Sequence, residues 1–147
     1  MQRFGQFRSL LPLVAAALLV VPAALALPGT GQHRFWDAAG GMGGIVTVSS
    51  TYLERTEGGL VDQFMDVNLI LMPADNAFRI LINDHEIGRI MTGPGGGGTL
   101  LMRRMDVQPG PDGRPPDPKR IDTNDILRVI SVDMSLGIDI SAPYRPR

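Results

Sequence analysis

Three short clusters and a few isolated residues carry whatever chemistry this chain has. Asp84-His85-Glu86 puts three titratable groups side by side. On a strand, Asp84 and Glu86 share one face and His85 takes the other; on a turn they converge. A zinc site wants three or four nitrogen, sulfur or carboxylate ligands, and the second histidine, His33, is far away in a glycine-rich stretch. The cluster therefore reads as a solvated hairpin tip. Asp122-Thr123-Asn124-Asp125 resembles half of a calcium loop, which makes Asp122, Asn124 and Asp125 the candidate metal ligands, with Asp112 and Asp117 able to join if the intervening loop folds back. The central glycine and distal bidentate glutamate of a helix-loop-helix calcium site are missing, and the same residues are turn formers. Gly95 to Gly98 invites a phosphate cradle, but such a cradle opens a helix and is followed by lysine. Here Thr99-Leu100-Leu101 reads as a strand.

A serine hydrolase would need His85 beside a strand-end serine with Asp84 or Asp133 behind it. Ser49, Ser50, Ser131, Ser135 and Ser141 all lie in or beside expected strands, and no glycine-flanked nucleophile elbow occurs. Trp36 is a ligand-stacking aromatic or a plug over one end of the core. No amide adjoins it, which favours the plug. No catalytic residue, cofactor site or metal site beyond the three calcium candidates is expected.

The composition narrows the classes further. The 147 residues include 14 basic and 15 acidic side chains and no cysteine. Disulfides, thiolate metal sites, a cysteine nucleophile and a lipidated amino-terminal cysteine are excluded. Arg3 and Arg8 are the only charges in residues 1–26, so the remainder carries 12 basic against 15 acidic groups. That balance, with no basic run, argues against nucleic acid as a partner.

Residues 1–26 read as a signal peptide. Arg3 and Arg8 give a positive start, Leu10 to Val21 is uncharged and apolar, Pro22 breaks it, and Ala24-Leu25-Ala26 supplies the small-x-small pattern of a peptidase site. The expected cut lies between Ala26 and Leu27. The alternative, a retained membrane anchor, has only the 18 uncharged residues Leu10 to Leu27 to work with, interrupted by Pro12 and Pro22. The chain is thus expected to be exported, periplasmic or extracellular, with no stable membrane span after cleavage. Thirteen arginines against one lysine suit a GC-rich bacterial genome.

What remains must be built from strands. Residues 27–44, with Gly40-Gly41-Met42-Gly43-Gly44, read as a flexible leader. From Ile45 the pattern turns β-branched, through Ile45 to Leu53. Val67, Leu69 and Leu71 alternate inward, Pro73-Ala74-Asp75-Asn76 turns, and Phe78, Ile80 and Ile82 alternate again. Ile87 to Thr92, Thr99 to Met105, Ile126 to Val132 and Leu136 to Ile140 complete the set. The proline-rich segment 106–122, with Pro109, Pro111, Pro115, Pro116 and Pro118, lacks ladder donors and is expected to be a passive, extended loop. Residues 143–147 read as a frayed tail. The expected fold is all-β, an antiparallel β-sandwich or small barrel of about seven strands spanning residues 45–142.

Within this series, Pro73-Ala74-Asp75-Asn76, Ile82-Asn83-Asp84, Gly88, Thr92 and Gly96-Gly97-Gly98-Thr99-Leu100 follow one another in an order that resembles small exported bacterial β-sandwich domains, over residues 66–101. Such domains share no catalytic residues, so the resemblance implies architecture and no enzymatic activity. The 106–122 insertion and Arg103-Arg104 depart from the pattern. The expected function is a non-enzymatic structural or interaction role in the periplasm or envelope, with an envelope protein or glycan as partner. A glycan- or calcium-binding module is the alternative, and a small periplasmic hydrolase the second.

Amino-terminal sequencing of the protein recovered from an exporting bacterium is expected to begin at Leu27. An intact Met1 in the membrane fraction would disprove the processing.

Overall fold

The computed structural model describes residues 31–116 and 120–147. The expected signal peptide, its cut at Ala26 and Leu27, and residues 117–119 of the proline-rich segment lie outside the described residues. The described residues form nine strands: β1 (Gln32–Met42), β2 (Val46–Glu57), β3 (Leu60–Ile70), β4 (Ala77–Ile82), β5 (His85–Met91), β6 (Gly98–Val107), β7 (Ile126–Ser131), β8 (Asp139–Pro143) and β9 (Arg145–Pro146). They make two antiparallel sheets, ordered β6-β3-β2-β1-β9 and β5-β4-β7-β8. Neither sheet closes into a barrel, and the inner faces of both contribute to one hydrophobic core.

The period of two in the sequence decides which side chains enter that core. On β2, Val48, Ser50, Tyr52 and Glu54 are buried while their neighbours are not. On β3 the buried set is Val61, Gln63, Met65, Val67 and Leu69. Phe78 and Ile80 from β4 and Leu127 and Val129 from β7 face them, all four fully covered. Leu71 breaks the expected alternation. It takes a positive φ of 57° just past the end of β3 and is exposed, and Met72 fills the buried position instead.

Both ends of the described residues correct the sequence reading. Residues 32–42 of the expected flexible leader form β1, an interior strand paired with β2 from Gln32↔Thr56 to Met42↔Val46. Its composition is poor in β-formers, but a full ladder and the burial of Trp36 and Ala38 outweigh propensity. The expected tail is also ordered. Tyr144 is fully buried, Arg145 and Pro146 pair with Asp37 and Trp36, and the Arg147 guanidinium holds the Asp37 carboxylate at 2.7 and 2.9 Å. The Tyr144 hydroxyl lies 2.7 Å from Ser50 Oγ, and burial pushes its pKa up to about 12. Leu136 is not in the last long strand either; Met134–Leu136 is a 3-10 turn ended by Gly137 at φ 62°, and β8 begins at Asp139.

Two glycines matter to the packing. Gly96 has a φ of 72°, and a Cβ there would run into the Met72 carbonyl, so the Gly93–Gly98 segment is a packed turn and not merely a flexible one. Gly88 on β5 leaves room for Leu100 of β6, whose Cδ2 lies 2.8 Å from where a Cβ would sit. This contact brings together the free edges of the two sheets.

Truncation of Leu69 or Ile80 to alanine is expected to cost about 2–5 kcal/mol in denaturant unfolding. A loss below about 0.5 kcal/mol, the range of surface substitutions, would contradict the assigned inner face.

Candidate functional site

The alternation on β2 that buries Tyr52 also buries Glu54, whose side chain is 2% exposed. A carboxylate taken out of water this far demands a cation and further hydrogen bonds. Both arrive from distant parts of the chain. Arg114, from the proline-rich segment, donates from Nε to Glu54 Oε2 and from Nη2 to Oε1, each at 2.9 Å. The Tyr52 hydroxyl donates to Oε1 at 2.9 Å and accepts from Gln63 Nε2 at 2.6 Å. Arg114 Nη2 also donates to the Ile121 carbonyl at 2.8 Å, and Nη1 pairs with Asp122. Its guanidinium carbon lies 4.4 Å from the Trp36 ring centroid, and the Trp36 indole donates to Thr123 Oγ1 at 3.3 Å.

Burial of Arg114 alone would lower its pKa, but the hydrogen bonds and charges of Glu54 and Asp122 outweigh it and hold it above the usual arginine range. Burial would raise Asp122, yet Arg120 and Arg114 hold its carboxyl below the usual range. Burial, with the Glu54 charge, keeps Tyr52 protonated far above neutral pH. The hydrogen bonds and opposite charges that join Glu54, Arg114 and Asp122 make the network a structural fastener.

This corrects the reading of segment 106–122 as a passive loop. Beyond Val107 its described residues stay outside any ladder, as the prolines require, but Pro115 and Ile121 are buried and Arg114 nearly so. It is fastened across one end of the core. Trp36 beneath it is buried, a plug with no face open to a sugar.

The remaining sequence candidates fall as follows. Asp84 pairs with Arg128 at 3.0 Å, Glu86 pairs with Arg79 and Arg89 at 2.6 and 2.8 Å, and His85 points elsewhere, so the three do not converge. Asp133 accepts from the Ser135 backbone N–H and supports no histidine. Asp122 and Asp125 close a turn on each other, Asp125 Oδ2 accepting from the Asp122 N–H at 2.7 Å, while Asn124 takes the left-handed conformation at φ 73°. Both Asp122 oxygens already accept from arginines. Among the described residues no group of three or more His, Asp or Glu side chains is placed to hold a metal ion.

Beside the fastener, the two sheets part. A pocket of about 240 Å³ opens between β3 and β6 on one side and the β4–β5 hairpin on the other, with the 120–125 turn as its end wall. Pairing registers define its lining. Met65↔Met102 and Gln63↔Arg104 share the inner face of one sheet, and Ile82↔His85 share that of the other. Tyr52 and Ile121 join the pocket to the Glu54 network. Sequence reasoning singled out His85 and Asp125 but not Met102, Arg104 or Arg120, because strand register alone brings these together. The one available signal was Arg103-Arg104 interrupting an apolar strand.

Arg114→Ala is expected to destabilise the fold by about 3–5 kcal/mol, since it strands the buried Glu54 charge. Deleting Pro109–Pro118 should cost at least as much. A melt unchanged by either would show that the segment is not a fastener. Asp122 titrates lower in the folded than in the unfolded chain, so its contribution is present above the ordinary aspartate range, about pH 3.9, and is lost as pH falls below it. The melting temperature should therefore fall further between about pH 5 and pH 3 in the native chain than in Asp122→Asn.

No family model matches the chain, nor does any curated protein or solved structure; fold and site geometry alone bear on its function.

Proposed function

We propose that the chain is an exported, non-enzymatic β-sandwich of the kind its 66–101 region resembles, with an interaction role in the periplasm or cell envelope. It acts by taking a small ligand into the opening between its sheets. The observation that supports this reading best is the pocket itself. Apolar walls with a few convergent polar groups, at the mouth of a layered β-structure, are the usual form of a small-molecule site. The inner-face residues deeper in the core, Val67, Phe78 and Ile80, are fully covered, whereas Met102, Ile82 and Ile87 at the pocket are only half-buried. Apolar surface held open by a rigid surround stays available to a partner. The non-enzymatic part of the reading draws on the Glu54–Arg114–Asp122 network, where buried charge is spent on fastening a loop, and on the divergence of Asp84, His85 and Glu86.

A nuclear magnetic resonance titration of the full chain, methyl-labelled at Met and Ile, tests the reading. The panel comprises small neutral, anionic and cationic organic molecules, galactose and calcium. At least one organic class should shift the Met102, Ile82 and Ile87 methyls and leave Met134, far from the pocket, unmoved. Silence at those methyls across the panel, or a response to calcium alone, would overturn it.

A further inference from the structure

We infer that the opening between the sheets holds a soft monovalent metal ion, copper(I), on the thioethers of Met65 and Met102 and the imidazole of His85. This metal site shares the opening proposed above for a small ligand but does not require an organic molecule to enter it.

Register brings the three donors to one level. Met65 and Met102 are direct partners across β3 and β6, and both side chains line the pocket. Residues opposite each other on neighbouring strands have Cβ atoms about 4.5–5.5 Å apart, and the flexible thioether side chain adapts to a common point between them. The level of the facing hairpin is set by Leu100 of β6, which packs where Gly88 of β5 has no Cβ. From that contact both strands lead away from the 92–97 loop that joins them. Two residues along β6 from Leu100 stands Met102. On β5 a bulge inserts one extra residue, so the second pairing position from Gly88 is His85, opposite Ile82. His85 is therefore level with Met102, and it lines the same pocket. Packed sheets lie about 10 Å apart, a gap that a methionine and a histidine can bridge through one ion.

The existing bonds of the lining decide which groups are left for a ligand. Arg103 stacks on Phe64, its guanidinium carbon 5.0 Å from the ring centroid. Arg120 pairs with Asp112 and Asp122. Asp125 accepts from the Asn83 side-chain amide at 2.8 Å and from the Asp122 N–H at 2.7 Å. Tyr52 is held by Glu54 and Gln63, and both Gln63 and Arg104 are engaged as well. The His85 imidazole is exposed and has no hydrogen bond, ion pair or ring contact among the described residues. Met102 is half-buried and equally uncommitted. Met65 Sδ receives a long contact of 3.6 Å from the Tyr144 hydroxyl. Two thioethers and one imidazole are a soft set, which selects copper(I), whereas calcium and magnesium favour carboxylates and carbonyls. Zinc sites are built from thiolate, imidazole and carboxylate, of which this set supplies one imidazole. Arg103, Arg104 and Arg120 around the opening repel a dication more than a monocation.

Silver(I), a redox-stable analogue, and copper(I) under anaerobic conditions are titrated into the full chain by calorimetry in chloride-free buffer, with the Met methyl and His ring resonances followed in parallel. Either ion should bind one to one with a Kd of about 1 μM or tighter. It should shift the Met65 and Met102 methyls and the His85 ring, while zinc and calcium leave those methyls unmoved. Met65→Leu, Met102→Leu and His85→Phe should each weaken binding at least about tenfold; leucine keeps the volume of methionine, and an unchanged melt confirms the fold. Met134→Leu, at an 88% exposed thioether, should change nothing. Undiminished silver affinity in Met102→Leu or His85→Phe, or shifts confined to Met134 and other exposed methionines, would overturn the site. Zinc binding as tightly as silver would overturn the soft donor set. Silver binding in a chain whose pocket methyls ignore every organic probe would support the metal site and remove the organic reading; organic binding without silver binding would do the reverse.

Discussion

A carboxylate buried on the inner face of a sheet is the constraint around which this molecule is arranged. Glu54 occupies a position that alternation reserves for the core, and leaving it there unpaired would cost more than a domain of this size can spare. The structure answers with a bidentate arginine and a tyrosine hydroxyl. The arginine comes from a segment with no ladder hydrogen bonds to hold it, so the ion pair and the burial of Pro115 and Ile121 are what fix that segment in place. Trp36, whose ring centroid lies 4.4 Å from the same guanidinium carbon, ties in β1, and Asp122 extends the pairing to Arg120. Strands from the start of the described chain, its middle and its proline-rich segment thereby converge on one charge pair.

The opening between the sheets follows from how the two ends of that interface are closed. At one end the sheets touch edge to edge, because Gly88 lacks the side chain that would keep Leu100 away. At the other, the fastened segment presents Ile121 and Arg120 as a wall. Between these, β6 and the β4–β5 hairpin stand apart with apolar side chains uncovered. A buried ion pair bounds the gap at one end and a glycine contact at the other.

The inner and outer faces of most strands were legible from the amino-acid sequence, because a period of two is a local property and burial simply enforces it. Val67, Leu69, Phe78 and Ile80 sit where alternation puts them. The turns at Pro73–Asn76 and Asp122–Asp125 were equally legible, since their residues carry the turn chemistry themselves. Read alone, the sequence thus determined an all-β chain without cysteine chemistry.

What only the tertiary structure decided depends on partners far away in the chain. Residues 32–42 look like a linker, and become an interior strand because β2 and β9 supply ladders on both sides. The final residues look frayed, and are held by a tyrosine whose socket is built by Ser50 and Met65. The proline-rich segment looks passive because its essential feature, Arg114, means nothing until Glu54, 60 residues earlier, is placed opposite it. The pocket was hidden for the same reason. Met102, Arg104, Ile82 and His85 belong to three strands, and only register, set by hydrogen bonds and burial across the sheets, turns them toward a common space.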